Sequence, residues 1–393
     1  MSKNVHIIGA YNTKFGNLKE DTIYSLYEEA AKGAIKDASI DVTDVDAVFV
    51  GNYSGGTFNN QEHIAPYGVN ILPELRFKPM YRTENACASG TSAIHIAEMT
   101  IKSGKAKKVL VVGVEKMNSL DTENTTKALA KASYWSKEGA NNYTFPGLFA
   151  EYAKGWMKHY GYSLEQLQNY LAEITAKAYN FGSQNPLAHL QKNRSKEEIL
   201  GLPEEKNPMI AYPLRLHDCS LISDGAAAVI LSSEKEKDSV EIVATSSVSD
   251  YLNIVDSKRD NYFLDGAAEA TQRALQQANL TINDIQVAEV HDCFTITELL
   301  IYSAIGLTKK GNEFDALINK DVYLGGRCVI NPSGGLKAKG HPVGATGVSM
   351  HALLYKQLTD NPIGVQVANA INGLVVNIGG SGATNMVSIL KRS

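Results

Sequence analysis

Along the chain, apolar residues return at helical spacing in two stretches that match at a constant offset of 240: Ala30, Ala34, Ile35 and Ala38 in one, Ala270, Ala274, Leu275 and Ala278 in the other. This i, i+4 spacing predicts a buried stripe on each of two amphipathic helices. Both are followed by turn-forming residues, Ile40-Asp-Val-Thr-Asp-Val and Leu280-Thr-Ile-Asn-Asp-Ile, and then by apolar strands at Ala47–Val50 and Val287–Val290. A helix, a turn and a strand therefore recur. The run Gly225-Ala-Ala-Ala-Val-Ile-Leu also resembles Gly382-Ala-Thr-Asn-Met-Val-Ser-Ile-Leu at the C-terminus, so each half is expected to close with a similar buried strand.

Uninterrupted apolar strands at Val109–Gly113, Ala226–Leu231 and Leu374–Ile378 alternate with helical patterns. Strands buried on both faces need helices above and below them, which predicts an α/β fold made of a duplicated unit. One half spans 1–117 plus 210–236 and the other 237–393. Between them, 118–209 has a different texture: both tryptophans, Trp135 and Trp156, and many tyrosines sit among Asn, Lys and Glu. It is expected to be an inserted loop domain. One of its helices opens at Ser163-Leu-Glu-Gln166, a capping-box pattern. Its aromatics are expected to fill a small core of its own, with a few left to line a pocket.

Bulk properties narrow the function. The 393 residues exceed the roughly 250–300 at which one hydrophobic core stops growing, which agrees with two halves. With 44% hydrophobic and 20% charged residues, and no apolar run near the ~18 residues of a membrane span, the chain reads as soluble and globular, with no membrane role. A net charge of −4 argues against nucleic-acid partners. The four cysteines, at 87, 219, 293 and 328, show no C-x-x-C spacing, so neither a structural metal nor a disulfide framework is expected. A reducing compartment fits. Neither end reads as a targeting signal, and a cytoplasmic location is expected.

Four segments carry candidate chemistry. In Glu84-Asn-Ala-Cys87-Ala-Ser-Gly-Thr-Ser-Ala-Ile-His95, a cysteine among small residues precedes a helical pattern. A helix N-terminus there is expected to stabilise a thiolate, and the small neighbours let a substrate approach; a free cysteine that is only a small buried hydrophobe is the other reading. In Asn331-Pro-Ser-Gly-Gly-Leu-Lys-Ala-Lys-Gly-His341-Pro-Val-Gly-Ala-Thr-Gly347, a histidine holds the matching place before another helix. That position favours a neutral ring able to accept the thiol proton. The loop lacks phosphate-loop and dinucleotide spacing. His291-Asp-Cys293-Phe294 ends the apolar strand of the second repeat, where strands deliver side chains to a crevice. A core histidine with a structural cysteine is the alternative, as is a metal site short of ligands. Last, Asn377-Ile-Gly-Gly380-Ser-Gly382 runs a strand into glycines whose N–H groups suit an oxyanion, or simply form a tight turn.

Together these segments resemble the thiolase family over essentially the whole chain. HDCF and NPSGGLKAKGHPVGATG are similar to the sterol-carrier-protein-2-thiolase and archaeal acetyl-CoA acetyltransferase branch. Degradative and biosynthetic thiolases carry Asn-Glu-Ala-Phe in place of His291–Phe294, and a catalytic cysteine in place of Asn377. The resemblance implies a layered αβαβα thiolase fold and an acyl-CoA:acetyl-CoA C-acyltransferase that forms or cleaves acetoacetyl-CoA. It implies Cys87 as acyl carrier, His341 as its base and Cys293 as the acid–base thiol. His341 and His291 would face the enolate, the N–H groups of Cys87 and Gly380 the tetrahedral adduct, and Ser220 would contact CoA. Coenzyme A thioesters are then substrates, with no permanently bound cofactor. A homodimer or homotetramer is implied, and in this branch a complex with a zinc-ribbon/OB-fold accessory protein and with 3-hydroxy-3-methylglutaryl-CoA synthase. The competing functions are a thiolase for longer or branched 3-ketoacyl chains, and a non-catalytic lipid- or CoA-binding scaffold.

Overall fold

A computed structural model describes residues 4–393. The first half runs β1 (His6–Asn12), α1 (Ile23–Ala38), β2 (Ala47–Gly51), two short helices α2 (Gly55–Asn59) and α3 (Tyr67–Ile71), β3 (Met80–Thr83), α4 (Ser89–Lys102) and β4 (Lys108–Glu115). Helices α5 (Thr122–Ala130), α6 (Phe145–Tyr160), α7 (Leu164–Ser183) and α8 (Lys196–Leu200) follow, with a hairpin of β5 (Met209–Ala211) and β6 (Leu214–Arg215), before β7 (Gly225–Ser232) returns to pair with β1 and β4. The second half repeats the plan as β8 (Val240–Ser249), α9 (Asp265–Ala278) and β9 (Val287–Val290). Then come α10 (Thr295–Ala304), α11 (Asp315–Ile318), β10 (Val329–Ile330), α12 (Gly335–Ala338), α13 (Val343–Leu358), β11 (Asn372–Gly379) and β12 (Thr384–Arg392).

The offset of 240 holds in three dimensions. Helix α1 starts from a capping box, in which Thr22 and Ser25 satisfy each other's backbone N–H groups, and it buries Leu26, Tyr27, Ala30 and Ala34. Burying each of the larger side chains on this face is worth roughly 1.5–3 kcal/mol. It stops at Ser39, whose φ of 53° is left-handed. Its counterpart α9 buries Ala267, Ala270 and Ala274 and stops at Asn279 with φ 54°. Both are followed by a 3₁₀ turn, Val42–Asp44 and Ile282–Asp284, and then by the buried strands β2 and β9.

The strand order is β10-β9-β11-β12-β8-β1-β7-β4-β2-β3, which is five strands and their mirror sequence. Strand β2 lies parallel to β4 (Val48 beside Leu110), as β9 does to β11 (Ala288 beside Leu374). Antiparallel β7 and β12 close the two halves, as their similar sequences suggested. The two edges meet where β1 pairs β8, His6 beside Glu241 and Ile7 beside Val240.

Helices α1 and α9 cover the outer faces, while α4 and α13 pack against each other between the two halves, giving the layered αβαβα arrangement. Both inner helices are buried nearly all round, with small and polar side chains packed inside as well as apolar ones. Their close approach needs small residues, because a Cβ on Gly347 would lie 2.2 Å from the Thr91 nitrogen. His95 of α4 and His351 of α13 meet on the Ser388 hydroxyl at 2.9 and 2.8 Å, and burial holds both rings neutral.

The inserted segment departs from expectation. The capping box at Ser163 and Gln166 forms, but the aromatics do not build a separate core. Phe149, Tyr152 and Trp156 are buried in the same cluster as the strands of both halves. Trp156 donates its indole N–H to Glu313 at 3.0 Å and packs edge-on against Phe314. Helix α6 has one broad apolar face, and the second half supplies a surface large enough to cover it; Trp135 stays half exposed.

Candidate active site

The carboxyl ends of the parallel strands and the N-termini of α4 and α13 meet at one side of the molecule, around a cleft of about 500 Å³. Cys87, His291, Cys293, His341, Gly380 and Ser220 all line it, so the six candidate positions converge. Its apolar walls include Tyr53, Met117, Leu129, Phe149 and Val343.

Cys87 sits one residue ahead of the N-cap of α4. The turn before it is tight: Ala86 has φ 50°, a conformation that costs an alanine about 1–2 kcal/mol. The Ser89 hydroxyl holds it by accepting from the Asn85 N–H at 3.0 Å and donating to the Ala86 carbonyl at 2.6 Å. His341 occupies the same place in the other half, one residue ahead of the α13 N-cap, with Nδ1 2.7 Å from the Thr346 hydroxyl.

His291 and Cys293 follow β9. The intervening Asp292 turns away from the cleft and accepts the Leu336 and Lys337 N–H groups at 2.6 and 3.3 Å, fastening this loop to the glycine-rich segment at α12. Gly335 is required there: its φ is +60°, and a Cβ would lie 2.2 Å from the Asp292 carboxylate. Phe294 stacks on Phe149 at 4.7 Å, which brings α6 over the cleft. The His291 and His341 rings stand nearly perpendicular, 5.1 Å apart. Cys87 Sγ and a nitrogen of each ring all lie within 4.8 Å of one another.

Electrostatics set the resting state. The expected thiolate at the helix tip is corrected by burial, which pushes the Cys87 thiol up to about 12; the N–H groups of Gly380 and of Cys87 itself act on the sulfur in the opposite sense and are outweighed. Buried Glu115 and nearby Glu84 add to the rise. Cys293 is likewise raised well above an ordinary thiol by burial, with Cys87 contributing. His291 is lowered to about 3 by burial, and His341 is lowered by burial, His291 and Lys339. The site thus rests with two thiols and two neutral imidazoles.

Several lining residues escaped the sequence reading. Tyr53 follows β2 at the position that Cys293 holds after β9, so the offset of 240 itself pointed to it. Its hydroxyl donates to the Ala128 carbonyl at 2.9 Å. Asn377 was marked only as standing where other thiolases have cysteine; it touches both Cys87 and His291. Ser220 is tied in through its N–H, which donates to the Cys293 carbonyl at 2.9 Å.

Fold and cleft together define an acyltransferase built on a duplicated α/β frame. The family model for the thiolase N-terminal domain matches residues 5–186, and that for a thiolase C-terminal domain-like region matches 248–392. The chain belongs to the thiolase family. It is 38% identical to the acetyl-CoA acetyltransferase of Methanothermobacter thermautotrophicus, covering 99% of this chain and 100% of that one. Human sterol carrier protein 2 is 32% identical over 97% of this chain and 71% of its own length. Among solved structures, the Ltp2-ChsH2(DUF35) aldolase superposes with a TM-score of 0.84, covering 99% of this chain and 98% of that one at 19% identity; that likeness is of fold alone. No described helix is long and apolar enough to cross a membrane.

Proposed function

We propose that this thiolase is an acetyl-CoA C-acetyltransferase that joins two acetyl-CoA molecules into acetoacetyl-CoA, or runs the reverse thiolysis. The observation carrying the roles is the convergence of two thiols and two imidazoles, from both halves, on one cleft. Cys87 attacks the thioester carbonyl as its proton passes to His341. The carbon–sulfur bond to CoA breaks. Because resting Cys293 is a thiol, it serves first as the acid that protonates the departing CoA sulfur, leaving its own thiolate behind. That thiolate removes the α-proton of a second acetyl-CoA. The resulting carbanion attacks the acyl group on Cys87, and the proton on His341 returns to the Cys87 sulfur, so every proton is accounted for. The N–H groups of Cys87 and Gly380 stabilise the tetrahedral adduct; losing one such donor typically costs about 100–1,000-fold.

Ser220 at the rim is assigned to CoA. The division at 1–117 plus 210–236, 118–209 and 237–393 belongs to the same proposal, supported by β7 returning to pair with β1 and β4. Self-association is supported by the exposed Phe77 and Tyr81 along the edge at β3. An accessory zinc-ribbon/OB-fold partner and a 3-hydroxy-3-methylglutaryl-CoA synthase complete the proposed assembly. The apolar wall of Met117, Leu129 and Val343 beside Cys87 favours a second reading, a thiolase for longer acyl chains. Release of CoA from acetyl-CoA, compared with thiolysis of acetoacetyl-CoA and longer 3-ketoacyl-CoAs, separates the two. Faster turnover of the longer substrates would overturn the acetyl assignment.

A further inference from the structure

The two cleft imidazoles look alike in burial and charge, yet their partners differ. The Asn377 side chain is bracketed by three groups: its amide nitrogen lies 3.1 Å from the Cys87 carbonyl and 3.1 Å from His291 Nδ1, while its oxygen accepts the Thr91 hydroxyl at 2.8 Å. A carbonyl only accepts, so the Cys87 oxygen fixes which end of the amide is nitrogen. Rotating the amide would set two oxygens against each other at a buried position, at the full cost of an unpaired acceptor. His291 Nδ1 therefore receives a hydrogen bond and carries no proton. The proton sits on Nε2, which is buried and has no hydrogen-bond partner among the described residues.

His341 has the opposite surroundings. The Thr346 hydroxyl lies 3.0 Å from the Pro342 carbonyl one helical turn back, the usual target of a threonine hydroxyl inside a helix, and 2.7 Å from His341 Nδ1. Having spent its one proton on Pro342, Thr346 Oγ1 accepts from Nδ1–H. His341 Nε2 is left as a lone pair.

We infer that Asn377, oriented by Thr91, and Thr346 are positioning residues that lock His291 and His341 in opposite tautomers, making one ring a hydrogen-bond donor to the cleft and the other a proton acceptor. The inference rests on the roles proposed for Cys87 and His341 and adds how they are divided. A fixed Nε2–H on His291 supplies an oxyanion donor from the outset. A lone pair on His341 can take the Cys87 proton and gains an N–H only once the enzyme is acylated.

The direct test is nitrogen NMR of the intact enzyme with 15N-labelled histidine, the two signals being assigned with His291→Gln and His341→Gln. The expected result is Nε2–H for His291 and Nδ1–H for His341; the same tautomer in both, or the reverse assignment, overturns the inference. In Asn377→Asp the carboxylate can only accept, so it draws the proton to His291 Nδ1. Condensation is then expected to fall about 100–1,000-fold, with acetylation of Cys87 slowed far less. Thr346→Val is expected to show the converse split. Equal slowing of both half-reactions in each variant, with unmoved histidine signals, would also defeat it. Failure of wild-type Cys87 to become acetylated would instead sink the proposed function and leave the NMR assignment standing.

Discussion

The loops after β2 and β9 hold equivalent places in the two halves, yet only one carries a thiol. After β2 the chain reads Asn52-Tyr53-Ser54, and 240 residues on it reads Asp292-Cys293-Phe294. Both loops are fastened alike: Asn52 accepts the Gly55 N–H at 3.0 Å and donates to buried Glu115, while Asp292 accepts the Leu336 N–H. What differs is the side chain each turns to the cleft. The same holds for the helix tips, where Cys87 and His341 occupy matching positions. Strands β4 and β11 diverge too, since pairing with β2 and β9 aligns Gly113 with Asn377. In the first half the glycine lets α13 press in, a Cβ there lying 2.8 Å from the Gly344 oxygen; in the second the asparagine reaches α4 and His291. Duplication supplied a frame in which two helix tips and two strand ends face one another, and substitution at matched positions turned it into an asymmetric site.

Removing Cys293 is the sharpest way to break that comparison. Cys293→Ala is expected to lower condensation by about 10²–10⁴-fold, the usual contribution of a general acid–base group, measured as acetoacetyl-CoA formation; normal condensation would mean the two loops are not chemically distinct. Trp156→Ala tests whether the inserted segment shares the common core: it is expected to cost about 3–5 kcal/mol and to lower a single denaturation midpoint. A separate early transition confined to the insertion would show an independent core instead. The pH dependence of alkylation probes the helix tips. With the thiol pushed up to about 12, Cys87 is protonated throughout the neutral range and its thiolate fraction grows with pH. Its iodoacetamide reaction is expected to accelerate roughly tenfold per pH unit from 6 to 9, whereas a rate already at plateau near pH 6 would mean a resting thiolate–imidazolium pair. The smallest effect is expected at Tyr53, the counterpart of Cys293. Tyr53→Phe loses one hydrogen bond to Ala128, about 0.5–1.5 kcal/mol of stability, with little change in turnover.

Much of the frame was legible because it follows from short-range patterns. The alanine stripes, the turn segments at Ile40 and Leu280 and the apolar strands are local in sequence, and repetition at one offset made them stand out. The candidate site residues were found through motifs at the same kind of junction, strand end or helix start. Two things were not legible. The thiol's resting state depends on burial by residues spread from Tyr53 to Val343, so the helix dipole was credited with an activation that desolvation outweighs. The partners of Trp156, Phe149 and Asn377 lie 157, 145 and 286 residues away along the chain, beyond any periodicity.

The account stands on Cys87 carrying the acyl group. Intact-mass and peptide mapping of Cys293→Ala mixed with acetyl-CoA reads this directly, because condensation is blocked while CoA can still leave, more slowly, as a thiolate, so the adduct accumulates. One acetyl group on Cys87, absent from Cys87→Ala, is the predicted result; acetylation at another residue, or an unmodified protein that still releases CoA, contradicts it.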